Sequence, residues 1–256
     1  KNPFGVQCTI NGDLNKEGDP NIRVEANIKN NELSYFDHKV TDCSFKGVFT
    51  NEYQKNKGVS DENSAILLDD FRGKVHTIPF TTKNMMILDL KKPIASGAFV
   101  SRFDLEQLNQ TLVKQTLTFD SGQADLRLAF KADVVNLEMQ KPFLIGSVVI
   151  QNASGTHISS KKKFNNSSVD LSFTSKELKV NQIELNTQNS ALKMKGQSDN
   201  FLNFYYDTPE KIQVNWNIQA QRIDLRDFSF GSGKAASIKK STKITPNVIN
   251  ILHKSN

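Results

Sequence analysis

Apolar and polar residues alternate along most of this chain. Ile22, Val24, Ala26 and Ile28 interleave with Arg23, Glu25, Asn27 and Lys29. Leu126, Leu128, Phe130 and Ala132 share one phase between Ala124 and Val134, and Val169, Leu171 and Phe173 alternate with Asp170, Ser172 and Thr174. A period of two is the pattern of a β-strand with one buried face. The same rhythm predicts strands over Val6 to Ile10, Cys43 to Phe49, Val75 to Phe80, Met85 to Leu90 and around Leu192 and Met194. Ala65 to Leu68 and Phe143 to Ile150 are apolar in both phases, which predicts burial on both sides or a sheet corner. Leu178 and Val180 lie in one phase and Ile183 and Leu185 in the other, so a turn or bulge is expected at Asn181-Gln182. Asn11-Gly12 is a turn signal, and the polar run from Asn51 to Asn63 reads as a mobile loop.

One unit recurs. Pro93 to Leu108, PIASGAFVSRFDLEQL, aligns without a gap on Gln213 to Phe228, QVNWNIQAQRIDLRDF. Arg102, Asp104 and Leu105 fall on Arg222, Asp224 and Leu225, while Ile94, Ala98 and Val100 fall on Val214, Ile218 and Ala220. Each copy is expected to be an amphipathic strand that presents this aligned apolar set on its buried face and ends in a short capped turn. Asp104 and Asp224 are the candidate caps, since a carboxylate accepts from the free N–H groups of a first helical turn. Gln107 completes a capping box in the first copy alone, where Asp227 stands in the second. Asp199 to Tyr206 is a further candidate short helix.

The fold class that follows is all-β, mostly antiparallel because the connections are short. Half of every strand is apolar and almost no helix exists to cover it. Two arrangements satisfy this: a long twisted sheet forming an elongated groove with one or two short capping helices, or a closed β-sandwich or barrel. The hydrophobic rhythm stops after Phe230, which divides the chain into a repetitive β domain, 1–230, and a lysine-rich linker or tail, 231–256.

Charge and chemistry narrow the function by exclusion. The net charge of +6 falls to +1 once the five lysines of the tail (Lys234, Lys239, Lys240, Lys243 and Lys254) are set aside. A basic tail of this kind reads as a solvated linker, and no nucleic-acid partner is expected. The four histidines are scattered, with no ligand at metal-binding spacing on the same face. Asp69-Asp70 reads as a solvated turn. Gly231-Ser232-Gly233-Lys234 lacks the first glycine and the closing Ser or Thr of a phosphate loop. No catalytic constellation, metal or cofactor is expected, so the chain is read as non-enzymatic. Cys8 and Cys43 lie on the apolar phase of their strands: two buried thiols, or one disulfide if those strands pair.

Three stretches together, ILLDDFRGKVHTIPF (Ile66 to Phe80), IASGAFVSRFDLEQL (Ile94 to Leu108) and DNFLNFYYDTPEKIQVNWNIQAQRIDLRDF (Asp199 to Phe228), resemble the AsmA-like family. These are envelope proteins of Gram-negative bacteria related to TamB and the bridge-like lipid-transfer proteins. The similarity covers about Cys43 to Phe228 and lies in repeated apolar strands with a Phe/Ile-Asp-Leu stop. The resemblance implies a middle segment of a longer protein, a periplasmic location, an inner-membrane anchor outside this segment, possession of a phospholipid or other acyl-lipid ligand, and envelope protein partners. The family has no catalytic residues to carry over. On this reading the lipid-facing candidates are Leu126, Leu128, Phe130, Val169, Leu171, Phe173, Ile212, Val214, Trp216 and Ile218. Lys161, Lys162 and Lys163 are candidates for anionic headgroups. For Trp216 the residue pattern alone favours core packing over a ligand contact. The rival function is an interaction or adhesion module that binds protein or glycan through loops such as Asn51 to Asn63.

Overall fold

In a computed structural model the chain forms one antiparallel sheet. The structure describes residues 2–228 apart from 14, 16, 36–37, 111–115, 137, 175, 200 and 202–212. The boundary at 230, the tail, Ile212 and most of the candidate helix after Asp199 therefore lie outside the described residues.

Twelve strands follow one another as a meander, each hydrogen-bonded to its neighbours in sequence: β1 (Gly5–Asn11), β2 (Asn21–Tyr35), β3 (His38–Thr50), β4 (Ala65–Val75), β5 (Ile78–Leu88), β6 (Ile94–Asp104), β7 (Leu117–Val135), β8 (Glu138–His157), β9 (Lys162–Phe173), β10 (Glu177–Asn186), β11 (Ala191–Asp199) and β12 (Gln213–Arg222). The sheet does not close, because β1 and β12 are not paired with each other. This decides between the two expected arrangements: the molecule is the long twisted sheet, an elongated groove, and not a sandwich or barrel. At about 4.8 Å per strand the sheet runs roughly 50 Å along its long axis. The short helices among the described residues are 3₁₀ turns: Lys55–Lys57 between β3 and β4, Leu105–Gln110 after β6 and Leu225–Phe228 after β12.

Each strand's alternation meets its neighbour's in register. Phe99 pairs with Leu128, Leu128 with Gly146 and Gly146 with Phe173; Val180 pairs with Leu171 and Gly196, and Gly196 with Trp216. Paired residues share a face, so the apolar phases merge into one continuous apolar side. Bulges preserve that phase where a strand would drift from it. Val180 and Ile183 stand on the same side because the register shifts between them, at the expected Asn181-Gln182. Register also shifts around Asn30, Asp42, Asn84 and Asn152, each with φ between 46° and 53°. Asn and Asp tolerate this left-handed conformation better than other non-glycine residues, and such bulges increase the local twist.

Several expectations change. Asp69 and Asp70 are not in a turn; both lie inside β4, and Asp70 has φ 49°. The span Val75 to Phe80 is not one strand but the hairpin between β4 and β5, turning at His76 and Thr77 with His76 at φ 54°. The loop from Asn51 to Asn63 is tied down by its own polar groups. Asn51 Oδ1 accepts from Ile22 N at 2.7 Å and Asn51 Nδ2 donates to Pro20 O at 2.9 Å. Asn63 Oδ1 accepts from Gln54 N and Asn63 Nδ2 donates to Gln54 O, both at 2.9 Å. Cys8 and Cys43 form no disulfide: β2 stands between their strands, Cys8 is exposed and Cys43 is buried. Burial pushes the Cys43 thiol up to about 11.

Candidate functional site

The apolar side of the sheet is the candidate site. Among the described residues no second sheet lies over it, and its burial is correspondingly shallow. The buried apolar residues of the described chain include small ones at its base, such as Ala95, Ala124, Ala132 and Ala153, while most of the large side chains around them stay partly open. Nine of the ten proposed lipid-facing residues share this one side. Leu126, Leu128 and Phe130 project from β7, Val169, Leu171 and Phe173 from β9, and Val214, Trp216 and Ile218 from β12. The tenth, Ile212, lies outside the described residues.

The β12 residues settle the packing question. Val214 is 36% exposed, Trp216 37% and Ile218 46%. A tryptophan in a packed core would be far more enclosed, so the expectation of core packing for Trp216 is corrected. The cause is missing cover: among the described residues β12 has a strand neighbour on one edge only and no second sheet above it.

A row of aromatic rings crosses the other half of the same side and was not singled out by the alternation alone. Phe45 on β3 meets Phe71 on β4 with ring centroids 5.5 Å apart, Phe71 meets Phe80 on β5 at 5.1 Å, and Phe80 stacks on Phe99 of β6 at 6.0 Å. The available signal was their common phase: each falls on the apolar position of its strand. Such rings offer broad apolar contact without a directional polar partner.

One rim of the groove is partly covered midway along its length. The turn after β6 folds Leu105 over the sheet, where it is fully buried against Phe103, Ala124 and Ala153, with Phe119, Ile150 and Phe164 around them. Gly122 makes the approach possible. With φ 122° it bears no Cβ, and one placed there would stand 2.8 Å from Leu105 Cδ1 and from Ala153 Cα.

Charge is segregated to the opposite side. Lys46 pairs with Asp69, and Arg102, Asp125 and Arg127 cluster across β6 and β7. Hydrogen bonds from Arg127 and Arg102 hold the Asp125 carboxyl down to about 2. Among the paired positions of the described strands, Lys162 is the one Lys, Arg, Asp or Glu on the apolar side, opposite His157 at the rim. The three lysines are therefore not one cluster. Lys161 lies in the turn with φ 56°, Lys162 is half-buried on the apolar side, and Lys163 points to the charged side.

The paired aspartates also differ. Asp224 behaves as a cap: its Oδ1 accepts from Arg226 N at 2.9 Å, and the Arg226 guanidinium donates to both of its carboxylate oxygens. These bonds hold its carboxyl down to about 2. Asp104 makes a cross-strand contact instead, accepting from Gln123 Nε2 at 3.4 Å.

Among the described residues no group of three His, Cys, Asp or Glu side chains could hold a metal ion, and no helix is long and apolar enough to cross a membrane. Comparison with known proteins finds no matching family model, no matching curated protein and no matching solved structure.

Proposed function

We propose that this chain is a non-enzymatic lipid-handling segment. Its open apolar groove shelters the acyl chains of a phospholipid or similar lipid while headgroups stay at the polar rim. One observation carries the reading: the apolar phases of twelve consecutive strands merge on one side, which no second sheet covers among the described residues. Monomeric proteins rarely leave contiguous apolar patches larger than a few hundred Å² without a partner for them. An acyl chain laid on this side gains about 25 cal/mol for each Å² of apolar surface removed from water. The groove's length, roughly 50 Å at ordinary strand spacing, exceeds the ~30 Å hydrocarbon thickness of a bilayer, so it suits several chains lying along it in place of one fixed ligand. Recognition is then by surface type, with low selectivity among lipids, and Lys162 is the charged group best placed to meet an anionic headgroup at the rim.

The resemblance to AsmA-like proteins supports the setting: a Gram-negative envelope protein, periplasmic, anchored to the inner membrane through another segment, and serving lipid transport or outer-membrane homeostasis with envelope partners. The reading is tested by extracting the purified protein and identifying co-purified lipid by mass spectrometry. In parallel, the emission of Trp216, the single tryptophan, is followed as phosphatidylethanolamine/phosphatidylglycerol vesicles are added. Bound phospholipid and a blue shift of Trp216 are expected. A lipid-free protein whose emission ignores the vesicles overturns the proposal.

A further inference from the structure

β12 forms one edge of the sheet, and its outer row of backbone N–H and C=O groups has no strand partner among the described residues. Such an edge is a template for another strand, and proteins guard theirs with charged side chains, proline or bulges. Here charge is distributed the other way round. Every inner strand, β2 to β11, carries charged residues, whereas Gln213 to Gln221 of β12 carries neither a charge nor a proline. Its pairing with β11 is even from Gln213 to Ala220 and shifts only at the Gln221 end. Among the described residues the chain that follows, up to Phe228, does not shield the edge. From Asp224 to Asp227 it bends back onto the turn between β10 and β11, where Asp224 N donates to Ser190 Oγ at 2.9 Å and Asp227 accepts from Thr187 and Ser190.

The polar side of β12 is a row of amides: Gln213, Asn215, Asn217 and Gln219. An amide both donates and accepts, so such a row is complementary to itself, whereas a row of like charges facing its own copy would repel. We propose that β12 is an interaction edge that pairs antiparallel with β12 of a second copy of this chain. The two-fold axis would stand perpendicular to the sheet. That operation makes an isologous contact and keeps Val214, Trp216 and Ile218 of both copies on one side, so the apolar groove runs unbroken across the joint. The other edge, β1, is also uncharged, but it offers only seven residues against ten.

Light scattering on lipid-free protein over a concentration series tests this. A species of twice the 28.8 kDa chain mass is expected. Asn217→Lys and Asn217→Glu should each give monomers with an unchanged far-ultraviolet spectrum, and an equimolar mixture of the two should restore the doubled mass. Thr9→Lys, on β1, should leave the dimer intact. A wild type that stays monomeric throughout overturns the proposal. So does a dimer that survives Asn217→Lys and dissolves on Thr9→Lys, or a mass that grows past two copies, which is the mark of head-to-tail β1–β12 joining.

Discussion

The two copies of the repeated unit, β6 with its turn and β12 with its turn, are alike in sequence and opposite in orientation. Downstream they agree: Arg102 and Arg222 stand on the charged side of their strands, opposite Asp125 and Ala191 respectively. Upstream they do not. Val214, Trp216, Ile218 and Ala220 face the apolar side, whereas the aligned Ile94, Ser96, Ala98 and Val100 face the charged side. The apolar side of β6 is made by Ala95, Phe99 and Phe103 instead. The expectation that the aligned apolar sets share a face is thus corrected, and the cause is one residue. Between Ala191 paired with Arg222 and Leu192 paired with Ala220, β12 carries Gln221 as an extra residue. Since the side-chain period is two, one inserted residue inverts everything before it. Sequence similarity can therefore report a shared turn while the strand leading into it has changed sides.

The copies differ as much in burial, and mutation should expose that most strongly. Leu105, in the turn of the first copy, is fully buried. Leu105→Ala removes a side chain whose site is framed by sheet on one side, and should cost about 2–5 kcal/mol in chemical denaturation. Ile218→Ala, on the open face of the second copy, should change stability by about 0.5 kcal/mol or less, as surface substitutions do. Equal losses would mean that β12 is covered in solution and would remove the contrast.

The inversion itself is tested by placing a charge at aligned positions. Ile218→Asp sets a carboxylate on the apolar groove, and Ala98→Asp sets one on the charged side. Ile218 is 46% exposed, so the new charge reaches water and the fold survives. Co-purified lipid should fall for Ile218→Asp and stay at the wild-type level for Ala98→Asp. The opposite ranking would place the lipid on the other side of the sheet. Unfolding of Ile218→Asp would show a packed core where the structure has an open one.

Much of this was legible in the chain. Alternation located the strands, and the phase change after Val180 located its bulge, because both depend on side-chain periodicity alone. The double-phase run from Phe143 to Ile150 misled: Phe143 and Ile145 lie on the charged side and are 40% and 45% exposed, so the expected burial on both sides does not hold. Whether the sheet closes was not legible, since an apolar strand face reads the same against a second sheet, a lipid or water. The Gln221 bulge was hidden because it falls where the aligned copies match without a gap. The left-handed residues Asn30, Asp42 and Asn84 were hidden because polar residues in a strand also suit its solvent side. As for the site, its residues could be named, but the separation of Lys161, Lys162 and Lys163 onto different sides required the register.

The smallest expected difference concerns the aspartates that end the two copies. Asp224 is held by the Arg226 backbone and guanidinium, and its carboxyl stays ionised down to about 2. A carboxylate whose pKa is lowered by folding contributes stability above its unfolded value, near 3.9, and that contribution is lost as pH falls through the folded value. The turn after β12 should therefore loosen between about pH 4 and pH 2, visible as a carboxyl titration by NMR with a midpoint near 2. Asp224→Asn keeps the acceptor for Arg226 N but loses the charge, so it should abolish the titration while the turn persists at neutral pH. Asp104 contacts Gln123 only at 3.4 Å and is itself exposed. Asp104→Asn should then alter stability by no more than about 0.5 kcal/mol. If instead Asp104→Asn is the more damaging of the two, the first aspartate is the working cap, and the contrast between the two turns is the reverse of the one their hydrogen bonds describe.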